Sequence, residues 1–156
     1  MSDLTLRSMT VADLPFLYQV YAGTRAEELA QTAWTAEQKT AFLQQQFSAQ
    51  HDYYQANYPT AQFQVIEQQG KPIGRLYVDR WADQIRIMDI AVLPDQRGHG
   101  VGTQLLEAIL NEGRQAGLPV TVHVERFNPA LRWYERLGFQ IAEDKGVYYF
   151  LKWMPK

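Results

Sequence analysis

Cysteine is absent from the 156 residues, which removes disulfides, thiolate nucleophiles and cysteine-ligated zinc from consideration. Histidine is scarce. His51, His99 and His123 stand far apart and lack metal-site spacing, so no metal is expected. Long apolar runs are missing too: no segment approaches the ~18 continuous apolar residues that span a bilayer. The opening Met-Ser-Asp-Leu-Thr-Leu-Arg also lacks the apolar stretch of a secretory signal. A cytoplasmic location without a membrane partner is therefore expected. Nor does one sign of charge dominate, since 15 Lys and Arg against 17 Asp and Glu give a formal net charge of −2. A nucleic-acid binder usually carries a basic stripe or patch, so no nucleic-acid partner is expected. With no linker-like, repeated or low-complexity stretch, residues 1–156 read as a single domain able to bury its own core.

What is present is periodic. Leu4 to Arg7 alternates apolar and polar residues as a strand, and Thr10 and Asp13 bracket the start of a helical run through Leu14, Leu17, Tyr18 and Tyr21. Thr35 and Gln38 have capping-box spacing and precede Ala41, Phe42, Gln45, Ala49 and Tyr53 at helical intervals, predicting a long helix that ends near Tyr58-Pro59. Past Pro59 the period drops to two. Phe63 and Val65, a turn at Gln69-Gly70-Lys71-Pro72, and Ile73 to Val78 predict an antiparallel hairpin. Gln84 to Leu93 reads as a further strand, with Ile85, Ile87 and Asp89 on one side and Arg86, Met88 and Ile90 on the other.

Leu105, Leu106, Ile109 and Leu110 mark one face of a helix that Gly117 and Pro119 stop, and Val120, Val122 and Val124 alternate as the next strand. Strand, helix and strand with about fifteen helical residues between them imply a right-handed parallel crossover. Asn128-Pro129 opens a short helix. Phe139 to Ala142 and Val147 to Trp153 are expected as the last strands, around a polar turn Glu143-Asp144-Lys145-Gly146.

The most informative stretch joins the strand ending at Leu93 to the following helix: Gln96-Arg97-Gly98-His99-Gly100-Val101-Gly102. Glycine at 98, 100 and 102 is expected to allow positive φ and close approach of the backbone to a ligand, while a helix N-terminus offers unpaired N–H groups to an anion. The turn therefore suits a nucleotide-type cofactor. A nucleoside-triphosphate loop needs Gly-Lys followed by Ser or Thr, whereas Gly102 is followed directly by Thr103. A dinucleotide fingerprint is nearer, with Glu125 close to the place of the ribose-binding acid, but the third glycine comes one position early. An NAD(P)-dependent oxidoreductase stays as a weaker alternative.

The same residues resemble the acetyl-CoA loop of the GCN5-related N-acetyltransferases, Arg-x-x-Gly-x-Gly or Ala. A second element, Asn128-Pro129-Ala130-Leu131-Arg132-Trp133-Tyr134-Glu135-Arg136-Leu137-Gly138-Phe139, resembles that family's Asn-x-x-Ala-x-x-x-Tyr-x-x-x-Gly-Phe signature, matching it from Ala130 to Phe139 with Asn128 one residue nearer the alanine. The likeness is strong from Phe63 to Trp153 and rests on element order before that. It implies an α/β (α+β) single-domain fold: a mixed, twisted sheet of about seven strands with about four helices, splayed between the fourth and fifth strands to admit a pantetheine arm. It further implies that acetyl-CoA is bound by Ala91, Val92, Arg97, Gly98, His99, Gly100, Val101, Gly102 and Thr103. Backbone N–H groups from Arg97 to Thr103 would hold the pyrophosphate, Asn128 would bond the pantetheine arm, and Ala130 would leave room beside it. Pairing into a homodimer is common in such folds.

The implied reaction is attack of a primary amine on the thioester in a ternary complex. An amine with a pKa near 10.4 is only about one part in a thousand neutral at physiological pH, so a base or water chain helps. The oxyanion needs a donor, for which the resemblance implies the backbone N–H of Val92, and the leaving thiolate needs an acid, implied at Tyr134. Tyr134 also falls at helical spacing with Leu131 and Leu137, a packing position. The family's usual strand glutamate is missing, with Gln84 or Met88 where it falls. Asp89 is the remaining carboxylate there, either the base or paired with Arg75 or Arg80. His123 faces away from Val122 and Val124, and Glu125 beyond it is placed to line the cleft. In the Tyr21 to Trp34 region, Glu27 and Glu28 suit an amine acceptor and Arg25 one bearing a carboxylate. The expected partner is a small-molecule or protein amine. A non-catalytic acyl-CoA-binding regulatory module on the same fold is the other alternative.

Overall fold

Seven strands and four α-helices are present among the described residues of the computed structural model, 3–156. Met1 and Ser2, which open the stretch read above for a signal, lie outside them. The elements are β1 (Leu4–Ser8), α1 (Leu14–Ala30), α2 (Ala36–Asn57), β2 (Gln62–Gln68), β3 (Lys71–Arg80), β4 (Ile85–Val92), α3 (Val101–Ala116), β5 (Val120–Glu125), α4 (Ala130–Arg136), β6 (Gln140–Asp144) and β7 (Tyr148–Trp153). The strands run β1-β2-β3-β4-β5-β7-β6 in a mixed sheet. The β1/β2, β5/β7 and β6/β7 pairs are antiparallel and β4/β5 is parallel, as the crossover argument requires. Two compact units are distinguished, residues 3–76 with Ile90–His99 and Tyr77–Asp89 with Gly100–Lys156, the division passing through β3 and β4. No described helix is long and apolar enough to cross a membrane.

In the first unit, Leu17, Tyr21 and Leu29 of α1, Leu43 and Phe47 of α2 and Val65 of β2 form a buried cluster. The Tyr18 ring meets Phe47 edge-on at 5.8 Å. The capping box of α2 forms as its sequence predicts: Thr35 Oγ1 accepts from Gln38 N at 3.1 Å, and Gln38 Oε1 accepts from Thr35 N at 2.9 Å. A short 3₁₀ turn, Val11–Asp13, precedes α1. Asp13 is buried there because Arg7 neutralises it, donating at 2.8 Å to each carboxylate oxygen, while Thr10 N donates to Oδ2 at 2.8 Å. The Arg7 hydrogen bonds hold the Asp13 carboxyl well below the usual aspartate range.

One boundary differs from expectation here. The β2–β3 turn is only Gln69-Gly70, at φ 53 and 78, because two residues at positive φ close a twisted hairpin; Lys71-Pro72 already belongs to β3. α1 runs on to Ala30, so Arg25, Glu27 and Glu28 lie in its last turns.

In the second unit, Leu106, Ile109 and Leu110 of α3 are buried, as are Val120, Val122 and Val124 of β5 and Leu151 and Trp153 of β7. Gly113 allows the close fit of α3, since a Cβ there would lie 2.8 Å from the Leu118 carbonyl oxygen and 3.0 Å from the Trp153 ring. β6 takes in Glu143 and Asp144, which the sequence assigns to a turn. Arg126 explains that extension. Its guanidinium bonds Asp144, donates to the Gly146 carbonyl at 2.8 Å and to the Tyr149 hydroxyl at 2.7 Å, and so straps the hairpin to the end of β5.

The parallel ladder is short. Its register pairs Ile85 with Val120, Arg86 with Thr121 and Ile87 with Val122, leaving Met88 and Asp89 of β4 and His123 to Glu125 of β5 beyond it. This is the expected splay between the fourth and fifth strands.

Candidate active site

In the first unit, β4 delivers the chain to the glycine turn. Leu93 N donates to the Ile73 carbonyl at 2.8 Å, a 3₁₀ turn of Pro94–Gln96 follows, and Gly98 has φ +81. The space where a Gly98 Cβ would stand is open, so conformation and not crowding requires glycine. His99 is exposed. Arg97 is also exposed, and its Nη2 donates at 3.0 Å to the carbonyl of Gly23 in α1. The Pro94 ring stands 3.0 Å from where a Gly23 Cβ would be, which accounts for glycine inside that helix. Arg97 therefore anchors the turn to α1 through its side chain.

Ala91 and Val92, half-buried at the end of β4, face a close approach from β3. A Cβ on Gly74 would lie 2.3 Å from the Ala91 carbonyl oxygen and 2.9 Å from Val92 Cα. Gly74 was not among the expected site residues. Its signal was a lone glycine inside the apolar run Ile73 to Val78, the mark of close backbone approach.

The second unit continues the turn with Gly100 at φ +79, which serves as the N-cap of α3. Gln104 N makes a helical bond to the Gly100 carbonyl at 3.0 Å. The N–H groups of Val101, Gly102 and Thr103 precede it in the first turn, where the helix supplies no acceptor and its dipole is positive. Gly102 corrects the sequence expectation: it is helical and has no positive φ. Its hydrogen faces Trp133 instead, a Cβ there standing 3.4 Å from Cζ2 of the indole. Trp133 Nε1 donates to Thr103 Oγ1 at 2.8 Å.

α4 begins where Asn128 Oδ1 accepts from Ala130 N at 2.9 Å, which engages the acceptor end of the Asn128 amide and leaves its N–H₂ end as donor. Ala130 is half-buried. Tyr134 is 5% exposed, with ring centroids 4.9 Å from Trp133 and 5.3 Å from Phe139. Its packing role is therefore real. Burial, and secondarily the charge of Asp89, push the Tyr134 hydroxyl above the ordinary phenol range, so it stays protonated at neutral pH. The hydroxyl makes no hydrogen bond to another described residue.

Asp89 thus acts electrostatically on Tyr134. Arg80 forms an ion pair with Glu112, and Arg75 donates to Gln50 Oε1 at 3.0 Å. His123 lies on the face opposite Val122 and Val124, its ring 5.0 Å from Phe150, and partial desolvation followed by the Arg86 charge pushes its pKa down. The charges in α1 are largely turned on one another. Arg25 Nη2 lies 2.7 Å from Glu28, Arg25 also bonds the Tyr21 hydroxyl and lies over Phe42, while Glu27 is exposed.

The sheet is not the parallel, doubly wound one on which a dinucleotide fingerprint works, because β7 runs antiparallel to both its neighbours. Residues 24–139 match the model of the acetyltransferase (GNAT) family, and the chain belongs to that family. An uncharacterized N-acetyltransferase of Methanocaldococcus jannaschii is 35% identical over 91 residues, 52% of this chain and 40% of that one. The mycothiol acetyltransferase of Thermobifida fusca is 35% identical over 81 residues, 51% of this chain and 22% of that one. The matches thus span less than half of either relative's length. The PaiA N-acetyltransferase of Thermoplasma acidophilum, solved in complex with coenzyme A, shares the fold at a TM-score of 0.73 with 17% identity, over 99% of both chains.

Proposed function

We propose that residues 1–156 act as one domain that transfers the acetyl group of acetyl-CoA to a primary amine, by direct attack in a ternary complex. The observation that carries this reading is the turn at Gly98 and Gly100, both at left-handed φ, running into the uncapped N–H groups of α3 in a chain of the acetyltransferase family. Such a turn suits a pyrophosphate. The coenzyme A complex of the PaiA relative supports the same ligand.

Within this proposal the backbone from Arg97 to Thr103 holds the pyrophosphate, with the Arg97 guanidinium serving mainly to fix the turn. Asn128 Nδ2 donates to the pantetheine arm, and small Ala130 admits it. Ala91 and Val92 line the thioester, and Val92 N–H stabilises the oxyanion. Tyr134 gives its phenolic proton to the departing sulfur. Asp89 takes a proton from the attacking ammonium, directly or through water, and Asp89→Asn is then expected to lower kcat while acetyl-CoA binding is retained. Glu27 is an exposed α1 carboxylate for a cationic acceptor, with Glu28, also exposed, and Arg25 positioned by each other. The acceptor is a small-molecule or protein amine in a cytoplasmic setting, and a homodimer is compatible with these roles.

A thermal-shift panel of acetyl-CoA, CoA, NAD and NADP tests the ligand, because a compound that binds the native form raises apparent stability. Acetyl-CoA and CoA are expected to stabilise; no response to either would overturn the proposal. Release of free CoA, measured against polyamines, amino acids and peptide N-termini, tests activity and acceptor class together. Binding without release for any amine would favour the regulatory-module alternative.

A further inference from the structure

We propose that Trp133 is a positioning residue that fixes the direction of the Thr103 hydroxyl, so that α3 offers a side-chain donor beside its backbone N–H groups to the pyrophosphate. The inference rests on reading the turn as the coenzyme A site. It gives Thr103 a partner, Trp133, that neither motif assigns.

The argument starts from what an indole can do. Its Nε1–H donates and never accepts, so at 2.8 Å Thr103 Oγ1 is necessarily the acceptor. The hydroxyl keeps one hydrogen of its own to give. In a helix interior a threonine usually spends that hydrogen on the carbonyl four residues back. Here no described residue receives it. Thr103 stands in the first turn of α3, where the neighbouring N–H groups also lack helical acceptors. A chain of donors from indole N–H to hydroxyl O–H thus ends at the positive end of the helix, and each bond polarises the next. An anion there completes it.

The indole is held for this task. It lies against the first turn at Gly102, where a Cβ would make ordinary contact at 3.4 Å from Cζ2 and 3.6 Å from Cη2, and Tyr134 packs beside it at 4.9 Å. The same short helix therefore carries the proposed proton donor and the residue that orients the anion site. Both sit on α4, one position apart.

Trp133→Phe keeps one aromatic ring on α4 beside Gly102 and removes the N–H together with the second ring of the indole, so the comparison with S-acetylpantetheine below separates lost packing from the lost donor. Its KM for acetyl-CoA is expected to rise about tenfold, the scale of one charge-assisted hydrogen bond, with kcat within about twofold of the parent. KM for S-acetylpantetheine, which has no pyrophosphate, is expected to stay the same. Thr103→Val should reproduce the effect, the double variant should be no worse than Thr103→Val alone, and Thr103→Ser should restore parental KM. An equal rise with S-acetylpantetheine, additive losses in the double variant, or an unchanged KM for acetyl-CoA would each overturn the inference. Parental protein that shows no thermal shift with CoA would remove the functional reading itself, a result distinct from normal CoA binding that Trp133→Phe leaves intact.

Discussion

Tyr134 joins two demands that usually conflict. Its ring is core, wedged between Trp133 and Phe139, while its hydroxyl is left without a described partner and held protonated by burial and by Asp89. Tyr134→Phe keeps the packing, so stability should change little. Turnover is expected to fall about 10²-fold, with acetyl-CoA affinity retained, if the phenol is the general acid. Steady-state kinetics beside a thermal-shift titration decides this, and undiminished turnover across pH would reject the role. The raised pKa adds a second expectation. Because the acid form persists above the ordinary phenol range, kcat should show no descending limb from this residue below about pH 10.

At the level of elements, β3 shapes β4. Gly74 brings its backbone against Ala91 and Val92, so Gly74→Ala, whose Cβ would stand 2.3 Å from a backbone oxygen, must push the end of β4 away. A stability loss of about 1–3 kcal/mol is expected from the overpacking. If Val92 N–H stabilises the oxyanion, kcat should fall more than coenzyme A affinity; denaturant melts and kinetics on the same preparation measure both. The elements themselves were largely legible in the sequence, because α3 and β5 have clear periods and Thr35 a complete capping box. Less legible were features set by distant partners. The burial of Asp13 depends on Arg7, the extension of β6 on the Arg126 strap, and the helical conformation of Gly102 on its place in α3 beside Trp133. The sequence shows a glycine's freedom but not whether φ or a neighbour uses it. Likewise the charges of Arg25 and Glu28 look available for a substrate until α1 folds them onto each other.

For the whole molecule, acid should be the weak direction. Asp13 has a folded-state pKa below its unfolded one, so its contribution is present above about pH 4 and is lost as the unfolded chain takes up the proton first on acidification. Urea midpoints are expected to fall between pH 5 and about pH 2, and Asp13→Asn should flatten that slope while lowering stability at neutral pH. An identical slope in parent and variant would remove Asp13 as its source. The short β4–β5 ladder has a consequence for solvent exchange. A sheet's slowest amides normally lie at its centre, yet beyond Ile87 and Val122 the facing N–H groups of these central strands lack each other as partners. Deuterium should therefore enter the unliganded protein along a mid-sheet seam, well before it reaches Ile85 and Val120, as though the sheet had an additional border inside it.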